Sequence, residues 1–201
     1  KLGEAKSLSD IAVIYETRGQ YEKALEIYKN NFEIFNKNKD DKNSFSSLNS
    51  MGGVYQHMGE YGKALKIFTK YLKFLRENGP EELIGFALKR IGSIYADWGQ
   101  KDKALKYLEK SLAFAKKFGD EQSVSLVLQS MGQLYNLDDQ VKALDIFKRA
   151  AEIDERYGSK IGLANNYMNI GRVSVNLGKY QDSLDKFKKS LQLYRDIGSE
   201  F

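Results

Sequence analysis

The sequence predicts an all-α chain, an α-solenoid of five antiparallel helix pairs, on three observations. An apolar residue followed by a small one recurs at Ile11-Ala12, Met51-Gly52, Ile91-Gly92, Met131-Gly132 and Ile170-Gly171, the small residues standing 40, 40, 40 and 39 positions apart. Within each interval the apolar residues fall three or four apart, which is the spacing of one face of a helix. Glycines mark most of the breaks between these periodic stretches. A period of this size is one supersecondary unit copied in series, and such units bury their apolar faces by stacking on one another.

The first helix of each copy carries Leu8, Leu48, Leu88, Leu128 or Tyr167 four residues before the small one. Tyr15, Tyr55, Tyr95 and Tyr135 stand three after it, with Ser174 in the last copy. A turn follows at Gly19, Gly59, Gly99 and Gly178. The second helix then opens on Ala24-Leu25, Ala64-Leu65, Ala104-Leu105, Ala143-Leu144 or Ser183-Leu184, with Tyr28, Phe68, Leu108, Phe147 or Phe187 one turn on. A mid-helix Gly costs roughly 1 kcal/mol against Ala. Gly52, Gly92, Gly132 and Gly171 are therefore expected where the partner helix comes close through its own Ala64, Ala104 or Ala143.

Boundaries between copies read as Gly79-Pro80, Gly119-Asp120, Gly158-Ser159 and Gly198-Ser199. Glycine suits the left-handed residue that ends a helix. Asp120 and Ser159 suit the N-cap of the next helix, and Pro80 its first turn. Asp40-Asp41 is expected to serve the second copy, where no Gly stands. The fourth copy lacks one residue between Tyr135 and Ala143, and Asn136-Leu137-Asp138-Asp139-Gln140 replaces its Gly turn. The expected copies are 2–40, 41–79, 80–119, 120–158 and 159–198, one array read as excised from a longer protein.

The apolar, small and Tyr positions, the Gly turn, the Ala-Leu pair and its following aromatic together resemble the tetratricopeptide repeat (TPR) family over essentially the whole chain. The common repeat has about 34 residues and a closing Pro, whereas this one is longer and keeps only Pro80. The long form is similar to the arrays of spindle-orientation adaptors, kinesin light chains and bacterial peptide-sensing regulators. The resemblance implies a right-handed superhelix that binds a peptide or protein segment in a concave groove lined by first helices. It leaves open a second class, the ligand-sensing region of a larger signalling or transcription regulator.

Composition narrows the chemistry. With no Cys and one His, His57, the chain lacks disulfides, thiolate sites and His-pair metal sites. No Gly-rich phosphate loop or catalytic constellation stands out, so neither an enzyme nor a cofactor is expected. No apolar run reaches the roughly 18 residues of a membrane span and no signal-peptide pattern opens the chain, which points to the cytoplasm. The net charge of +5 invites a nucleic-acid reading. However, the lysines of the second helices, such as Lys66, Lys70, Lys106 and Lys110, alternate with acids and read as a solvated face. Trp98, beside a turn Gly, is expected to cover the apolar end of its helix pair.

The groove implied by the resemblance is read from first-helix residues flanking the Ile/Met-Gly pair. It comprises Asn49, Gln56 and His57, then Lys89, Arg90 and Ser93, then Gln129, Gln133 and Asn136, and finally Asn165, Asn169 and Arg172. Ser9 and Asp97 fall at related positions. Amides pair with free backbone groups of a bound segment and cations with its carboxylates, so a neutral-to-acidic partner is expected. Leu184, Phe187, Leu191 and Tyr194 repeat the core pattern with no further helix to cover them, from which weak self-association through the C-terminal face is expected.

Overall fold

The computed structural model describes residues 2–198. Ser199, half of the last boundary signal, lies outside the described residues. Ten α-helices follow one another, with no strand among the described residues: α1 (Leu2–Thr17), α2 (Tyr21–Lys37), α3 (Asp41–His57), α4 (Tyr61–Asn78), α5 (Glu82–Asp97), α6 (Lys101–Lys117), α7 (Glu121–Tyr135), α8 (Gln140–Tyr157), α9 (Lys160–Asn176) and α10 (Tyr180–Gly198). The helices form two compact units. One comprises the residues up to Gly79 with Asp97–Gln100, and the other comprises Pro80–Ala96 with the chain from Lys101 onward.

The breaks follow from local chemistry. Gly19, Gly59, Gly99, Gly119, Gly158 and Gly178 all take the left-handed conformation, with φ between 65° and 79°. Asp120 accepts from the Ser123 amide at 2.9 Å and Ser159 from the Gly162 amide at 3.2 Å, each an N-cap. Asp40 caps α3 in the same way, and Lys39 takes the left-handed turn (φ 55°) where the sequence has no Gly. In the fourth copy Asp139 caps α8 through the Lys142 amide at 3.0 Å.

Two boundary expectations are corrected. Gly79 is extended, at φ −100° and ψ 173°, because the ring of Pro80 disfavours the helical region in the residue before it and pushes it to extended backbone. Pro80 itself precedes α5, which begins at Glu82. Gly198 is the last residue of α10 rather than a left-handed cap.

A third correction concerns the small residues. A Cβ on Gly52 would meet the Phe68 ring at 2.3 Å, and one on Gly132 or Gly171 would meet Phe147 or Phe187 at 2.7 Å. The nearest neighbour is thus the large residue one turn after the Ala or Ser. At Gly92 the partner backbone also comes near, the Ala104 carbonyl lying 3.3 Å from such a Cβ, as expected from the sequence.

In the first unit, Ala12, Ala24, Tyr28 and Val54 form a buried cluster. In the second, Leu108, Val127, Leu128, Met131 and Ile146 form one core cluster, and Phe147, Ile170 and Val173 form another.

Candidate functional site

In the first unit the expected groove residues lie on α3. Asn49 is half-buried, and its Oδ1 is shielded from solvent without a hydrogen-bond partner. Gln56 donates to the Asp97 carboxylate, so two of the selected residues hold each other. His57 Nδ1 lies 3.2 Å from Glu16 Oε1, and the Tyr28 hydroxyl donates to Glu16 Oε2 at 3.3 Å. Burial, with Glu16 nearby, pushes the Tyr28 phenol up to about 12. Ser9 is turned inward and accepts from Asn31 Nδ2 at 2.9 Å. Trp98 stacks on Tyr61 with ring centroids 5.8 Å apart and stays 46% exposed, so it covers its neighbour only in part.

In the second unit, Lys89, Arg90 and Ser93 lie half-buried on α5. Lys89 borders a cleft of about 350 Å³ among α5, α6 and α7, whose walls include Phe86 of α5, Phe114 of α6, Val127 of α7 and Phe118, and whose lining also carries Glu82 and Asp120. Its ammonium stands 5.8 Å from the centroid of Phe86. Burial lowers the Lys89 pKa, the Arg90 charge lowers it further, and Asp120 opposes both. A carboxylate entering the cleft would favour the charged form of Lys89, in competition with Glu82 and Asp120 of the same lining.

On α7, Gln133 is exposed and Gln129 is anchored. Gln129 Nε2 reaches Asp154 Oδ2 at 3.4 Å, an oxygen that also accepts from Ser125 Oγ and Asn166 Nδ2 at 2.7 Å each. Asp154 is 3% exposed, and burial raises its pKa against the pull of those donors. Sequence reasoning missed this cluster. Its members come from three helices and carry no shared spacing. The one signal is Gly162, where a Cβ would fall 2.5 Å from Asp154 Oδ2. Asn136 is the C-cap of α7, its Oδ1 enclosed and unpartnered. On α9, Asn165 Oδ1 accepts from the Tyr194 hydroxyl at 2.6 Å, Asn169 is half-buried and Arg172 is exposed.

Among the described residues no group of three His, Asp or Glu side chains could hold a metal ion, and no helix is long and apolar enough to cross a membrane. Helices packed in adjacent pairs, each pair closed by an aromatic or leucine on a small residue, define an α-helical repeat scaffold of the protein–protein interaction class. The chain belongs to the tetratricopeptide repeat family, whose model matches residues 3–77 and 43–117. No curated relative matches by sequence.

Solved structures agree on the fold. BtubC (BKLC) from P. vanneervenii is 20% identical with a TM-score of 0.78, over 96% of this chain and 80% of its own. A kinesin light chain-like protein of Podosopora anserina with nearly identical TPR-like repeats is 15% identical, with a TM-score of 0.70 over 98% of both chains. A Rap protein complexed with Competence and Sporulation Factor is 12% identical with a TM-score of 0.71, over all of this chain and 66% of its own.

Proposed function

We propose that the chain is a non-catalytic scaffold that binds a neutral-to-acidic peptide or protein segment along its first-helix face, in a cytoplasmic setting and without nucleic acid. The observation that carries this reading is the cleft where the first helices α5 and α7 meet α6. It pairs an aromatic lining with a partly desolvated lysine, so it suits an apolar side chain next to a carboxylate. Gln129, held by Asp154, and the exposed Gln133 offer amides to a segment passing over α7. Asn49, Gln56 and His57 on α3, and Asn169 and Arg172 on α9, belong to the same reading. The likeness to a Rap protein complexed with Competence and Sporulation Factor favours a second reading, in which the array senses a ligand for an attached effector.

Peptides selected from a random display library on the immobilised chain test the proposal. Charge reversal at Lys89 and Arg172 should weaken the selected peptides at least tenfold, whereas reversal at Lys106 and Lys148, exposed on second helices, should change little. Equal losses from both pairs would replace groove binding with nonspecific attraction.

A further inference from the structure

In three copies a small polar residue of the second helix bonds to the main chain of the first. Asn31 Nδ2 donates to the Ala5 carbonyl at 2.7 Å, Ser111 Oγ to that of Gly85 at 2.7 Å and Ser190 Oγ to that of Ala164 at 2.8 Å. In the second copy both positions are aromatic. Phe45 and Tyr71 stack there with centroids 4.0 Å apart. Two rings thus fill the place that a small polar side chain on a carbonyl takes in those copies. Leu48 and Met51 are half-buried here, and Leu8 is half-buried and Ile11 exposed in the first copy, whereas Leu88, Ile91, Leu128 and Met131 are buried. A trough of about 790 Å³ is left between α2 and α4, floored by α3.

We propose that this trough is a second docking surface, distinct from the first-helix face, and that it receives an acidic amphipathic helix of a partner protein. Its lining is largely apolar, with Phe32, Phe45, Leu48, Ile67, Tyr71 and Phe74 contributing. Tyr71 stays neutral, because burial, with Asp41 beside it, pushes its phenol up to about 12. Lys29 edges the α2 side and Lys63, Lys66 and Lys70 the α4 side, against only Glu33 and Asp41. Lys63 is paired with Glu60 at 3.1 Å. Lys29, Lys66 and Lys70 have no ion-pair partner among the described residues, so their charges are available to an incoming acid.

The walls decide the form of the occupant. They are helices whose main-chain groups are spent on their own ladders, so they offer no backbone bonds to an extended strand. A segment buried here must satisfy its own backbone, as a helix does. From Lys63 to Phe74 the α4 wall runs for roughly 16 Å, the length of about three helical turns. The matching segment therefore has an apolar stripe at i, i+3, i+4 and i+7 with Glu or Asp along its flanks.

A panel of fluorescent helical peptides of three to four turns tests this on the full chain. Each peptide carries Leu and Phe on the stripe in a different phase, with Glu on its flanks, and each has a Lys-flanked twin. At least one Glu-flanked peptide should bind saturably and at least tenfold more tightly than its twin. K66E/K70E, a surface change that leaves the circular dichroism intact, should weaken it at least tenfold and restore binding of the Lys-flanked twin. K89E/R172E should leave this binding unchanged, which separates it from the first-helix site whatever the fate of that reading. The proposal falls if no Glu-flanked peptide binds saturably, if K66E/K70E has no effect, or if K89E/R172E weakens binding equally. Saturable binding of oleate or anionic vesicles in place of every peptide would overturn it in favour of a lipid site.

Discussion

The ammonium of Lys103 lies 5.5 Å from the centroid of the Tyr95 ring, a second-helix lysine laid over a first-helix tyrosine. Lys23 over Tyr15 (5.2 Å), Lys63 over Tyr55 (5.5 Å) and Lys142 over Tyr135 (3.9 Å) repeat it. In the fifth copy the two positions hold Ser174 and Asp182, so both halves of the pair are absent together. Part of the solvated lysine face is thus engaged with the tyrosines through its stems and charges. Lys103→Met keeps the stem and removes the charge, and should lower stability by about 0.5–1 kcal/mol. Lys106→Met should change it little. Urea denaturation compares the two, and equal losses would mean that the ring contact contributes nothing.

Glycines of this chain should split into two groups on replacement by Ala. At Gly132 the new methyl would sit 2.7 Å from the Phe147 ring, and overpacking of this kind costs about 1–3 kcal/mol even after the gain in helix propensity. At Gly62, in the first turn of α4, a Cβ meets nothing within 4 Å, so Gly62→Ala should stabilise by up to about 1 kcal/mol. Thermal melts of the two variants should move in opposite directions.

Asp154 gives the chain a pH signature. Its pKa is raised in the folded state by burial, so its protonated form is the one folding favours. The stability it contributes is present below the ordinary carboxylate range and is lost as pH rises through the raised value. Asp154→Asn, which keeps an acceptor for Ser125 and Asn166, should therefore equal or exceed the parent in stability at pH 7. The gap should close on acidification. Asp154→Ala strands those donors and should cost about 1–3 kcal/mol. Urea melts at pH 4 and pH 7 check the sign, and an Asn variant clearly weaker at pH 7 would refute it.

On α10, Leu184, Leu191, Tyr194 and Phe187 are 46, 50, 40 and 36% exposed. We expect this apolar face to bring copies together weakly, so sedimentation should shift with concentration and Leu184→Lys with Leu191→Lys should abolish the shift. A strict monomer at high concentration would contradict this.

Helix bounds were legible because each glycine turn and each Asp or Ser cap acts within four residues. The expectation failed where a neighbour overrides the rule, as Pro80 does at Gly79, whereas the boundary without a Gly held through its Asp40 cap, with Lys39 in the conformation that glycine takes elsewhere. The identity of the small-residue contact was hidden as well: spacing shows that Gly132 faces α8, but not whether Ala143 or Phe147 meets it. Asp154 was illegible because its partners lie 29, 25 and 12 residues away and its own stretch, Glu152 to Arg156, reads as surface. The trough between α2 and α4 was masked in the same way. Phe45 and Tyr71 look like two more apolar residues until they are set beside the small residues that other copies place there.

The residue missing from the fourth copy was lost between Tyr135 and Asp139, outside both helices. Deleting one residue inside a helix would turn every later side chain by about 100° and carry Phe147 away from Gly132. Lost from the linker, it leaves α7 and α8 in register, with Asp139 still capping and Leu137 out in solvent. The chain therefore keeps its bearings by helical face rather than by residue count. This linker is where an affinity tag or a reporter loop could be spliced in with the packed faces undisturbed.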